Sequence, residues 1–86
     1  MSESASREFT PEEAAAIAAA IGLDFVVEGV DPDEFRRGLA VELEHGHRDP
    51  RTNVTGDDPQ LTGKIAWAHL QELPDYYTRL AVMEGD

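Results

Sequence analysis

Two short patterns in this chain set a carboxylate three residues from an imidazole: Glu42 with His45 in VELEHG, and His69 with Glu72 in HLQE. At that spacing both side chains of a pair lie on one side of a helix and can converge on one point. Two imidazoles and two carboxylates make a mixed nitrogen and oxygen donor set suited to a divalent transition metal such as zinc, iron or manganese. The chain has no cysteine, so thiolate ligands and a cysteine nucleophile are excluded. The Glu-x-x-His element also occurs in carboxylate-bridged di-iron bundles, which need two such elements and two further core glutamates. Here the second pair runs in reverse order and no further core acid is evident, so a single ion, or a site shared across a dimer, fits better.

These residues need helices to hold them. Thr10-Pro11-Glu12-Glu13 supplies an N-cap, a proline at the first helical position and first-turn acids, and Gly22 supplies a stop, which predicts a helix over 11–21. Asp31-Pro32 and Asp58-Pro59 repeat the device for helices over 32–45, stopped by Gly46, and 59–72. Pro74 opens a fourth, over 74–84. Leu23 to Val30 is short and β-branched, and reads as an extended connector or lone strand. The fold class is all-α, a small bundle of about four helices forming one domain over 10–86, behind a flexible tail over 1–9.

On a wheel of about 100° per residue, Phe35, Leu39, Leu43 and Gly38 define the buried face of the second helix. Glu42 lies inside that stripe, His45 at its edge and Glu44 opposite. In the third helix Leu61, Ile65 and Ala68 form an apolar face with Glu72 in its middle and His69 at its margin, while Ala66, Trp67, Leu70 and Leu73 form a second. That helix therefore reads as the central one. A carboxylate on a core face, in the last turn where the helix dipole is already negative, demands a compensating cation or hydrogen-bond donors. The long loop over 46–57 could carry the chain back so that the second and third helices run parallel and the two pairs meet.

The competing reading needs no metal. Glu42 and Glu72 could be satisfied by His45, His69, Arg36, Arg79 or the hydroxyls of Tyr76 and Tyr77, as a polar network that specifies packing. Tyr76, Leu80 and Met83 share a helical face and read as core, which leaves Tyr77 to one side as a contact for a partner. His47, a loop residue beside Arg48, reads as solvated. Asp49, Asn53, Asp57 and Asp58 do not fit a calcium loop, because Arg51 and Val54 occupy positions that need a ligand and a glycine.

The formal charge is −11, with nine acids and one base in residues 1–34 against nine acids and six bases in 35–86. Such a surface disfavours direct contact with nucleic acid or an anionic membrane, and suits a basic protein partner or imitation of DNA. No apolar run is long enough to span a bilayer and no secretory leader is evident, so a cytoplasmic protein is expected. A core this small would gain from a metal or from homo-oligomerisation. No nucleophile–base–acid set or nucleotide fingerprint appears, so catalysis and a cofactor site have no candidate residues outside the carboxylate–histidine cluster.

Glu42, Glu44, His45 and Gly46, followed by His69, Leu70, Glu72, Pro74, Tyr76 and Tyr77, resemble the signature of a family of small uncharacterised proteins and domains from bacteria, archaea and phages. The resemblance covers the second half of the chain and part of the second helix, and implies no activity. The sequence thus leaves three readings: a helical protein whose Glu42, His45, His69 and Glu72 bind a divalent transition metal; an interaction module, adaptor or DNA mimic, in which the cluster is structural; or a structural subunit active only as an oligomer.

Overall fold

Proline and aspartate punctuate the chain as the caps demand. In the computed structural model, which describes residues 8–84, helices α1 (Pro11–Ala20), α3 (Pro32–Arg48) and α4 (Pro59–Glu72) each begin with proline behind an N-cap. Thr10 and Glu13 form a reciprocal capping box at 3.0 and 2.9 Å. Asp31 and Asp58 each accept from two first-turn amides. The chain is all-helical in its described residues, with α2 (Phe25–Glu28) and α5 (Tyr76–Met83) completing the set and a 3-10 turn at Pro50–Thr52.

Four expectations about where elements lie change. Residues 23–30 hold the short helix α2 in place of an extended segment. Asp24 accepts from the amides of Val26 and Val27, and Gly29 closes the turn in the left-handed region at φ 69°. Gly46 is no stop: α3 continues to Arg48, and ends where Pro50 forces Asp49 into extended backbone at φ −143°. The fourth long helix starts at Tyr76, two residues later than expected. Of the tail expected over 1–9, residues 1–7 lie outside the described residues, and Phe9 is a core residue, 2% exposed.

The helix at the centre is α3 and not α4. It packs against α1, α4 and α5, and the fully buried Phe35 and Leu39 lie on it. On α4 the buried residues are Thr62, Gly63, Ala66 and Leu70, so the second of its two apolar sides faces inward. Leu61 is 45% exposed, and Ala68 and Glu72 are also exposed. Small side chains explain the choice. Gly63 and Ala66 let α1 and α3 approach closely, and close approach across a small-residue face buries more of Phe35, Ile17 and Ile21 than a bulky face would.

Helices α3 and α4 run parallel. Phe35 lies beside Gly63, Gly38 beside Ala66 and Glu42 beside His69, so the contacts advance together along both helices. The segment between them makes this possible and is itself hydrogen-bonded. Asn53 Oδ1 accepts from Thr55 Oγ1 and the Gly56 amide, while its Nδ2 donates to Asp57 at 2.8 Å. His47 is exposed but pairs with Asp57 at 3.0 Å. The Asn53 amide, then His47, hold the Asp57 carboxyl below its usual range.

Candidate functional site

Glu42 is the acid that the α3 stripe places inward, and its side chain keeps only 12% of its exposure. Its Oε2 accepts from the Tyr77 hydroxyl at 2.8 Å and lies 3.3 Å from His69 Nε2. The His69 ring stacks on Tyr76, with centroids 4.5 Å apart and planes 9° from parallel. Tyr77 meets both rings edge-on, at 4.9 Å from Tyr76 and 6.2 Å from His69. One carboxylate oxygen thereby ties α3 to α4 and α5.

Each expected pair contributes one member. Glu42 and His69 meet, whereas His45 and Glu72 are exposed. His45 lies at the edge of the α3 stripe and turns outward. Glu72 sits on the side of α4 opposite the small-residue face, so burial of that face carries it to solvent. Glu44 faces away from the core, 3.8 Å from Arg48. Among the described residues no group of three or more His, Cys, Asp and Glu is placed to hold a metal ion.

The two tyrosines depart from the roles read from the wheel. Tyr77 is 2% exposed and belongs to the core, so it is not a contact for a partner, while Tyr76 and Leu80 are half-buried and Met83 is 80% exposed. The cause is a row of residues on α3 spaced by four, Glu34, Gly38 and Glu42, which follows one helical ridge. Glu34 Oε1 accepts from the backbone amides of Tyr77 and Thr78 at 3.1 and 3.3 Å, and Oε2 accepts from the Thr78 hydroxyl. Gly38 seats the Tyr77 ring, and Glu42 takes its hydroxyl. Tyr77 is thus held at its backbone, ring and hydroxyl by successive turns of α3.

Glu34 had no signal as a site residue, because an acid in the first turn of a helix reads as a dipole partner of that helix. The clue lay at the far end of the chain. Asp75, the local N-cap of α5, makes no side-chain cap bond, so beyond Tyr76, whose amide reaches the Leu73 carbonyl, the amides of Tyr77 and Thr78 need an acceptor from elsewhere.

Residues 14–86 match a family described as "Protein of unknown function (DUF5661)". The chain belongs to that family. No curated protein and no solved structure matches it. The region of this DUF5661 chain that matches includes α3, α4 and α5, and hence every residue of the Glu34–Gly38–Glu42 row and its partners.

Burial, reinforced by the adjacent Glu42 carboxylate, pushes the Tyr77 phenol above its ordinary range. The folded protein therefore keeps this proton where an unfolded tyrosine, with a pKa of about 10, releases it. Stability from this group is complete below about pH 10 and falls as pH rises beyond it. Tyr77→Phe is expected to cost about 1–2 kcal/mol at neutral pH, because Glu42 loses a donor in a partly buried site. The variant's deficit should then shrink above about pH 10. Melting curves of both proteins between neutral and alkaline pH check this, and a deficit independent of pH contradicts it.

Proposed function

We propose that this protein is a small acidic interaction module, a bundle of four longer helices in which Glu42, Tyr77 and His69 form a structural polar network and α5 presents an apolar face to a basic partner. The observation that carries this reading is the outer side of α5. Val82 and Met83 are 71% and 80% exposed, and with Leu73 and Leu80 they line a groove of about 640 Å³. Clustered apolar side chains of this kind on a small domain mark an interaction site.

Charge selects the partner. The groove region 73–83 holds one acid and one base, Asp75 and Arg79, paired at 2.7 Å, so it is locally neutral within a chain of charge −11. A basic protein is steered in by the whole surface and then docks on the neutral apolar groove. No helix among the described residues is long and apolar enough to cross a membrane.

Capture from a lysate by the full chain tests the proposal against a Val82→Asp, Met83→Asp double variant. The expected result is retention of basic proteins in a salt-sensitive way, lost in the variant. Capture that the variant leaves unchanged, or that shows no basic bias, overturns it.

The metal reading is the alternative: Glu42 Oε2 and His69 Nε2 stand 3.3 Å apart, a separation that a shared ion allows as well as a hydrogen bond does. In that reading His45 and Glu72 are not ligands within one chain, and a second copy completes the set. Elemental analysis of untagged protein, with melting curves on addition of zinc, iron or manganese, separates the two. A bound stoichiometric ion and a raised melting temperature support the metal, and neither is expected for the network.

A further inference from the structure

A second feature of Glu42 lies outside the polar network. Its Oε2 takes both partners, Tyr77 and His69, while its Oε1 receives no hydrogen bond from the described residues. The residue also lines a separate cavity of about 190 Å³ between α3, α4 and the connecting loop. Besides Glu42 this cavity is lined by the edge of His45 and by Gly46, Thr52, Val54, Thr55 and Ile65.

The polar lining offers acceptors. The Thr52 hydroxyl donates its hydrogen to the Asp49 carbonyl at 3.2 Å, and the Thr55 hydroxyl donates to Asn53 Oδ1 at 3.2 Å. Each hydroxyl has one hydrogen, so a ligand meets these oxygens as acceptors only, and Thr55 Oγ1, which already accepts from the Asp57 amide at 3.1 Å, keeps one lone pair. Val54, 81% exposed, and Ile65 supply apolar wall beside these groups. A cavity that accepts hydrogen bonds, carries a carboxylate and sits in a chain of charge −11 is suited to a cationic donor with an apolar stem. At about 190 Å³ the cavity has room for a small group such as a short alkyl chain.

We propose that this cavity binds a primary alkylammonium group, with Glu42 Oε1 as its counter-ion. The group can come from a lysine side chain or from a free alkylamine. With lysine as the source the inference deepens the interaction reading, and it rests on different residues from the α5 groove.

Amide NMR of the full chain titrated with n-butylammonium tests the site, with butan-1-ol as the neutral control. Saturable shifts are expected at Gly46, Thr52, Val54 and Thr55 for the amine alone. In Glu42→Gln, whose amide oxygen can still accept from Tyr77, binding should weaken by at least about tenfold. A lysine-containing peptide and its lysine-acetylated form distinguish the sources: tighter binding of the unmodified peptide than of butylammonium identifies a lysine anchor, and equal binding identifies the free amine. Absence of shifts around the cavity, equal shifts with butan-1-ol, or undiminished binding in Glu42→Gln overturns the proposal. Should Glu42→Gln fail to fold, the contrast between amine and alcohol on the unaltered protein still decides. Failure here with successful α5-dependent capture leaves the interaction reading standing, and the reverse result removes only the groove.

Discussion

Glu34→Ala is expected to destabilise the protein by about 2–3 kcal/mol, more than removal of an ordinary helix cap, which costs about 0.5–2 kcal/mol. Three donors lose their acceptor at once: the amides of Tyr77 and Thr78 and the Thr78 hydroxyl. Water replaces the carboxylate poorly, because Glu34 is 6% exposed and Tyr77 2%. Asp75 does not compensate, since its side chain makes no cap bond and instead holds Arg79. At roughly 4–8 °C per kcal/mol for a domain of this size, the melting temperature should drop by about 10–20 °C.

Glu34→Gln should recover more than half of that loss. Its amide oxygen can serve both backbone donors, whereas Glu34→Asp is one methylene too short to reach them. Hydrogen exchange gives the sharper readout: in Glu34→Ala the first amides of α5 should lose protection before those of α1 or α4. A Glu34→Ala protein within about 0.5 kcal/mol of wild type, the range of ordinary surface substitutions, shows that α5 is not anchored through this carboxylate.

The second large effect is expected at Gly38, where two ordinary rules conflict. Glycine inside a helix costs about 1 kcal/mol relative to alanine, so Gly38→Ala should stabilise α3 on propensity alone. A Cβ there, however, would stand 2.5 Å from Tyr77 Cε2, 2.9 Å from Cζ and 3.0 Å from Ala66 Cβ. The tyrosine ring cannot yield freely, because Glu34 holds its backbone and Glu42 holds its hydroxyl. Overpacking therefore dominates, and a net loss of about 1–3 kcal/mol is expected.

A double-mutant cycle separates the two contributions. In a Tyr77→Ala background the ring clash is gone and only the 3.0 Å approach to Ala66 Cβ remains, so the cost of Gly38→Ala should fall by at least about 1 kcal/mol. A Gly38→Ala protein that melts higher than wild type in the native background contradicts the close seating of Tyr77 on α3.

The helix starts were legible because they depend on neighbours in sequence. Thr10-Pro11, Asp31-Pro32 and Asp58-Pro59 set caps and a fixed φ within two residues, and no distant contact needs to be known. The inward position of Glu42 was legible for a similar reason, since Phe35, Leu39 and Leu43 define a stripe on one helix. Gly46 misled because glycine permits a stop without requiring one; the restriction that Pro50 places on Asp49 was the stronger signal. Helix α2 was missed because Val26 and Val27 suggest a strand, whereas the Asp24 cap and Gly29 favour a single turn.

The amino-acid order by itself determined an acidic, all-helical chain, where its three proline-capped helices begin, and which acid of α3 turns inward, because these follow from local backbone chemistry and the helical period. Tertiary structure alone decided that Gly63 and Ala66 face the core and carry Glu72 to solvent, and that Tyr77 is buried while Met83 is exposed. It also turned Glu34 from a first-turn acid into the cap of a helix 43 residues away. Such choices depend on how closely two surfaces approach and on which donors are left without partners, quantities that exist only once the helices are packed.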